Sequence, residues 1–354
     1  MSAILFFDPV CQQPYDTRTL ADKATGGTES TVTRIADALE AYVMQHARST
    51  AWGRYRPVQP LPGIRHVVVV RDARALPLVQ QLFPGARVSL WLHDQLNPGS
   101  KRARRLAGTA GLLRDLSVTA VCVSDSQRRG VEATLRRIGV AAAVRALTIY
   151  NPIDDRLMPD DTPVDERKLV FFSSPNKGLN FSLDAFGALR QAMPDLRLVV
   201  ANPGYKPDRS ARRPGVEFLG PLPQARVHEE VRGALCTFFP NFVIPETFGL
   251  VFAESHALGT PVLTVDCGAA REVLANPEEV LPLRSAYRIY ETLAELLPTA
   301  LRRAPARLAA GAGLFEAFVE RVRAWRAGAR PRPLPDARFR LTTVLPQWRA
   351  LLEE

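Results

Sequence analysis

The pattern that most constrains this chain runs through it twice: short apolar runs of strand length alternate with stretches of helical periodicity. In the first half the runs are "AILFFD" (3–8), "HVVVV" (66–70), "RVSLWLH" (87–93), "VTAVCVS" (118–124) and "RALTIY" (145–150), with helical stretches at 28–41, 101–116 and 125–138. The second half carries "KLVFFS" (168–173), "LRLVVA" (196–201), "VEFLG" (216–220), "ALCTFFP" (234–240), "TPVLTVD" (260–266) and "VLPL" (280–283). Continuous apolar runs with helical crossovers require parallel strands buried on both faces. Two doubly wound α/β domains are expected, with a seam near "NPIDDRLMPDDTP" (151–163), where prolines and acids interrupt both periods. A length of 354 residues is long for one core and agrees with two.

Composition removes several classes. The 46% hydrophobic content is that of an ordinary globular protein, without low complexity. "MSAILFFDPV" has no basic leader region and reads as a first strand, and no apolar run is long enough to span a bilayer. Cys11, Cys122, Cys236 and Cys267 are far apart and form no CxxC, so neither a zinc site nor a disulfide framework is expected. A reduced, cytoplasmic location follows as the expectation. The net charge of +10 is carried largely by arginines clustered in "KRARR" (101–105), "RVRAWRAGARPRP" (321–333) and "RFR" (338–340). Such patches suit nucleic acid, an anionic membrane to which the protein would be peripheral, or phosphorylated substrates; a solvated arginine-rich surface is the alternative.

In open α/β sheets, ligands bind beyond the carboxyl ends of strands, so the residues just after each run are the candidates. "TGGTES" (25–30) places Gly26 and Gly27 before a helix, where backbone can approach a ligand and the amides favour an anion; by itself a double glycine there also reads as a plain loop. "LHDQ" (92–95) puts His93 at a strand end, as a proton carrier, a polar clamp or a structural histidine. "SSPNKGL" (173–179) sets Ser173 and Lys177 before a glycine and a new helix, a point charge suited to phosphate or, taken alone, a solvated surface lysine. "PETFGLVFAESHALGTPVL" (245–263) holds Glu246 and Glu254 eight positions apart, with Thr247, Phe248, Gly249 and Leu250 presenting backbone amides at a helix start. A carboxylate accepting from two neighbouring hydroxyls anchors a sugar, and amides at a helix start suit a diphosphate. Together they suggest a nucleotide sugar. Taken alone, the stretch also reads as a helix cap plus a solvated glutamate.

The longer run "PETFGLVFAESHALGTPVLTVDCGAAREVL" (245–274) resembles the donor-binding signature of family 4 retaining glycosyltransferases of the GT-B fold, with Glu246 and Glu254 as its E-x7-E element. "GGTE", "NPID" (151–154), "NKGL" (176–179) and "FLG" (218–220) fall in that family's order, so the resemblance covers nearly the whole chain. It implies two Rossmann-like domains facing a cleft: an acceptor-side domain at 1–155, a nucleotide-sugar donor domain at 156–335, and a helix at 336–354 crossing back to the first. The tail's Phe339, Val344, Leu345, Trp348, Leu351 and Leu352 supply an apolar stripe, interrupted by Pro346. The resemblance also implies that Glu254 holds ribose hydroxyls, Glu246 contacts the transferred sugar, and Lys177 with the Gly26–Gly27 loop neutralises the diphosphate. His93 matches the histidine beside the reacting sugar.

One departure stands out: the family usually has an arginine five or six residues before the lysine, and Phe172 and Phe171 occupy those positions here. Diphosphate binding then rests on Lys177, hydroxyls and amides, or on an arginine from elsewhere, such as within "YKPDRSARR" (205–213). There is no DxD motif, so no metal and no tightly bound cofactor is expected. The expected activity is retaining transfer of a hexosyl unit from a UDP- or GDP-sugar to a glycan or lipid-linked glycan. The rivals are a different enzyme on the same fold, such as a nucleotide-sugar hydrolase or a synthase using a phosphosugar acceptor, a glycosyltransferase acting on modified nucleic acid, and a noncatalytic nucleotide-sugar-binding protein on the same fold.

Overall fold

The computed structural model describes residues 2–96, 100–202, 213–242, 244–283 and 313–353. They fall into two compact units. The first comprises Met1–Arg18, Gly27–Asp154 and Ala337–Glu354, and the second Thr19–Gly26 and Asp155–Asp336.

The first unit is built on a seven-stranded sheet: β1 (Ile4–Asp8), β2 (Tyr42–Gln45), β3 (Tyr55–Arg56), β4 (His66–Val70), β5 (Arg87–Leu92), β6 (Thr119–Cys122) and β7 (Arg145–Thr148). Their order is β3-β2-β1-β4-β5-β6-β7, and all these pairings are parallel. β4 is buried along its whole length, as a strand covered on both faces must be. β2 and β3 lie outside the apolar runs read from the sequence. "YVMQ" follows the helix Gly27–Ala38 after only a short turn, and β3 has two residues, so neither leaves a separable period-2 signal. The helical stretch at 101–116 is in fact two helices, Lys101–Ala107 and Ala110–Asp115. They part at Thr109, whose hydroxyl donates to the Leu106 carbonyl at 2.8 Å.

The chain's last helix, Leu341–Glu353, belongs to this unit and retains Pro346 in its interior. Packing holds it there: Trp348 is fully buried, with its ring 4.6 Å from Trp91 and 5.6 Å from Phe6, and Val344 and Leu351 are buried beside it.

The second unit has six strands: β8 (Asp165–Phe172), β9 (Arg197–Asn202), β10 (Val216–Pro221), β11 (Ala234–Phe238), β12 (Val262–Val265) and β13 (Val280–Leu281). Their order is β10-β9-β8-β11-β12-β13, again parallel throughout. In both sheets the order reverses after the first strand, at β1/β4 and at β8/β11. A crevice opens where neighbouring strands send their connections to opposite faces, and ligands settle there.

Part of the basic run at 321–333 is consumed inside this unit rather than left as a surface patch. Arg326 is bidentate to Asp195 (3.0 and 2.6 Å), Arg321 donates to the Glu278 carbonyl (2.6 Å), and Arg330 donates to the carbonyls of Leu235 and Ala234 (2.8 and 3.2 Å). "KRARR" does face solvent: Lys101, Arg102, Arg104 and Arg105 are exposed, whereas Ala103 and Leu106 are buried. No helix among the described residues is long and apolar enough to cross a membrane.

Candidate active site

The loop after β8 carries Lys177 to the second switch point. Ser174 is buried and its hydroxyl donates to Asn176 Oδ1, while the Lys177 amide donates to the Ser174 carbonyl at 2.8 Å. Gly178 then takes φ +87 and begins the helix Leu179–Ala192; a Cβ there would lie 3.2 Å from Asn241 Oδ1. Glycine is needed both for the left-handed turn and for the approach of the neighbouring loop. Ser173 is half-buried at the end of β8.

The facing loop follows β11. Asn241 is buried and works as a clamp, with its Nδ2 donating to the Ile244 carbonyl (2.7 Å) and its Oδ1 accepting from the Ile244 amide (3.3 Å). Glu246 comes next, 7% exposed, and Lys177 Nζ lies 2.8 Å from its Oε1 and 2.9 Å from its Oε2, donating to the latter. The backbone of Glu246 is pinned from a third loop: Ala269 N–H donates to its carbonyl at 3.0 Å. Gly268 beside it has φ +62, and a Cβ there would collide with the Glu246 carbonyl oxygen and sit 2.8 Å from its nitrogen.

Thr247 and Phe248 lead to Gly249 (φ +88), which starts the helix Leu250–Ala257; a Cβ on Gly249 would collide with the Phe252 ring. Glu254 therefore stands little more than one turn into this helix and is 6% exposed. Gln224, the first residue of the helix Gln224–Arg232, donates from Nε2 to Glu254 Oε1 at 2.6 Å. Neither glutamate is solvated, which removes the cap-and-surface alternative. The structure brings Lys177 onto Glu246 and Gln224 onto Glu254.

Sequence reasoning missed Asn241, Gly268 and Gln224. A glycine in "CGAAR" was visible, but its contact is tertiary, and a glutamine at a helix start carries no signal by itself. Of the stretch 205–213 only Arg213 lies within the described residues, and it pairs with Asp184 (2.6 Å) and the Leu183 carbonyl (3.2 Å). Arg213 is thus engaged at helix Leu179–Ala192; the rest of that stretch lies outside the described residues.

The first unit has its own polar cluster at the β1/β4 switch point. Asp8 ends β1, is fully buried, and accepts from the Tyr15 hydroxyl (3.0 Å) and the Val10 amide (3.2 Å). Burial raises its carboxyl pKa, with the Arg71 charge opposing. Arg71 follows β4 with φ +69, unusual for a side chain of this size, and pairs with Glu29 at 3.3 Å. Burial disfavours its charge, but Glu29 and Asp8 more than offset that, and its pKa rises. His93 follows β5 with its ring 4.6 Å from Trp91. Part of the residue remains accessible, yet protein surrounds most of the ring, and burial first and Arg71 second hold its pKa well below the ordinary value. Gly27 begins the helix that carries Glu29, and the division between units runs between Gly26 and Gly27. Among the described residues no group of three or more His, Cys, Asp or Glu is arranged to hold a metal ion.

Two Rossmann-like units, each with polar side chains gathered at the strand-order reversal, define the GT-B class of fold. The crystal structure of Anabaena Alr3699/HepE in complex with UDP and glucose shares it, with a TM-score of 0.62 at 15% identity over 99% of both chains. Residues 166–298 match the model of the glycosyl transferases group 1 family. A phosphatidyl-myo-inositol mannosyltransferase of Mycobacterium leprae (strain TN) is 29% identical over 132 residues, 36% of this chain and 35% of the relative. A D-inositol 3-phosphate glycosyltransferase of Corynebacterium glutamicum (strain R) is 27% identical over 233 residues, 59% of this chain and 55% of the relative. The chain thus spans about a third of one relative's length and about half of the other's.

Proposed function

We propose that this chain is a retaining, metal-independent hexosyltransferase that moves a sugar from a UDP- or GDP-sugar to a hydroxyl of a glycan or lipid-linked glycan. The observation that carries this reading is the Lys177–Glu246 pair at the β8/β11 switch point, with Glu254 on the helix that follows. An ammonium, a buried carboxylate and a helix start at a strand-order reversal are the parts that a diphosphate joined to a sugar needs. The relatives' names speak of mannosyl and glycosyl transfer, and the structural neighbour holds UDP and glucose, which supports a nucleotide sugar as the donor.

In this reading Glu254 accepts from ribose hydroxyls, Glu246 contacts the transferred sugar, and Lys177, Ser173 and the amides of Thr247, Phe248, Gly249 and Leu250 hold the diphosphate. The bond from the anomeric carbon to the phosphate oxygen breaks and a bond to the acceptor oxygen forms on the same face. The acceptor's proton passes to the departing phosphate. Protein catalysis is positioning and stabilisation of the charge that grows on the diphosphate. The first unit is the acceptor side, and its His93 and Gly27 take the roles that the family resemblance gives them, with Gly26 on the other side of the unit boundary. Its exposed "KRARR" helix suits a cytoplasmic enzyme visiting an anionic membrane.

The test is a screen of UDP- and GDP-hexoses for thermal stabilisation, followed by product analysis with glycan and lipid-linked acceptors. Stabilisation by one donor and a product of unchanged anomeric configuration without added metal are expected. A nucleotide sugar that binds without turnover on any acceptor would point to a binding protein instead.

A further inference from the structure

The contact between Gln224 and Glu254 joins two elements far apart in sequence and has no role in the scheme above. A carboxylate on a helix turns freely about its last bond, and a hydrogen bond to one oxygen fixes its plane while leaving the other oxygen able to accept. Gln224 Nε2 makes that bond to Oε1 at 2.6 Å, from the first residue of a helix whose start is set by Pro223. It is a neutral donor, so it orients the carboxylate without cancelling its charge, unlike the ammonium on Glu246. An ionised acceptor bonds a hydroxyl about twice as strongly as a neutral one, and a neutral donor does not reduce that advantage. The helix bearing Glu254 is itself held by packing, with Val251 to Ala257 all buried, so Gln224 bears on the carboxylate rather than on the backbone.

We propose that Gln224 is a positioning residue for the nucleotide: it holds the Glu254 carboxylate in the plane that receives the vicinal hydroxyls of a ribose, and so sets discrimination between ribose and deoxyribose. The proposal rests on the reading of Glu254 as the ribose anchor. It requires Gln224 to act on hydroxyl recognition and not on nucleotide binding in general.

The experiment titrates UDP, GDP and their 2′-deoxy and 3′-deoxy counterparts into wild type, Gln224→Met and Gln224→Glu by calorimetry. Methionine keeps the length and removes the donor; glutamate keeps the shape and replaces the donor with an acceptor. Wild type should prefer the ribonucleotide by about tenfold or more, the cost of leaving a buried charged acceptor without its hydroxyl. Gln224→Met should lose roughly five- to tenfold for the ribonucleotide and little for the deoxy forms, so that discrimination collapses. Gln224→Glu should lose at least as much. Undiminished discrimination in Gln224→Met, or equal losses for ribo and deoxy ligands, overturns the proposal. A wild type that binds neither UDP nor GDP overturns the donor-site reading itself, and the proposal falls with it.

Discussion

The two switch points treat buried charge in opposite ways. At β8/β11 the Glu246 carboxylate is met by an ammonium from the facing loop, and Glu254 by an amide from a third element. At β1/β4 the Asp8 carboxyl and the His93 imidazole are pushed toward their neutral forms by burial, and only Arg71, with Glu29 beside it, is held charged. Burial with a partner keeps an ion; burial without enough of one neutralises it. The first arrangement can exchange its internal ion pair for a charged ligand. The second sets two groups pushed toward their neutral forms beside a retained Arg71–Glu29 ion pair.

The largest effect that would break this contrast comes from Gly268→Ala. A Cβ there meets the Glu246 backbone, and the residue has φ +62, so strain and overpacking together should cost about 3 kcal/mol. Thermal melts should show the loss, and turnover should fall further because Glu246 is displaced. A variant of normal stability and activity would mean that the three-loop junction does not position Glu246.

Next come the two glutamates. Glu254→Gln should weaken nucleotide binding by about 1–3 kcal/mol, because an amide loses the charge-assisted acceptance from hydroxyls. Glu246→Gln should depress turnover more than nucleoside diphosphate affinity, since its contact is with the sugar that leaves with the product. Calorimetry beside initial rates separates the two. If both variants keep wild-type values, the carboxylates are structural and the contrast between switch points loses its functional meaning.

The Lys177–Glu246 pair sharpens the comparison further. Lys177→Ala strands a buried carboxylate, and because the lysine is itself 31% exposed the stability cost should be modest, about 1–2 kcal/mol. Binding of a nucleoside diphosphate should fall much more than binding of the nucleoside. Lys177→Arg should restore part of it, since a planar fork does not reproduce a compact ammonium. Lys177→Met combined with Glu246→Gln should recover stability relative to the single lysine variant without recovering diphosphate affinity. Equal losses for both ligands would remove Lys177 from the phosphate site.

The two regions also differed in how legible they were. The apolar runs of β1, β4, β5, β8 and β9 announced themselves because both faces of those strands are covered. β2 escaped because it follows a helix after a short turn and ends in the buried polar Gln45, which bonds the Tyr15 backbone. Lys177, Glu246 and Glu254 could be read because a local glycine-and-helix grammar surrounds each. What could not be read is which of them pair: the ion pair spans 69 positions and the Gln224 contact 30, distances that no local period encodes. Arg71 was invisible for the same reason, since its left-handed backbone and its partner Glu29 exist only once β1, β4 and the helix from Gly27 are assembled.

The smallest expected effect probes the neutral switch point through His93. Its folded pKa lies well below the ordinary histidine value, with burial the main cause and Arg71 the second. As pH falls, the unfolded chain therefore takes up this proton before the folded one does. Stability that depends on a neutral His93 is present above about pH 6.5 and is lost as pH drops toward the folded value, by at most about 1.4 kcal/mol per pH unit for one proton. Asp8 works in the other sense: its raised pKa adds stability at lower pH and gives it up as pH rises through the folded value. The two overlap in part, so the wild-type curve alone does not isolate His93. Comparing wild type with His93→Asn does, because Asp8, Tyr15 and Glu29 stay in both. Melting temperatures from about pH 5 to 7.5 should show the gap between the two proteins narrowing as pH falls below about 6.5, where the wild type loses what the variant never had. A gap that stays constant across the window would mean that His93 takes up its proton as readily folded as unfolded, and that the first switch point does not suppress charge.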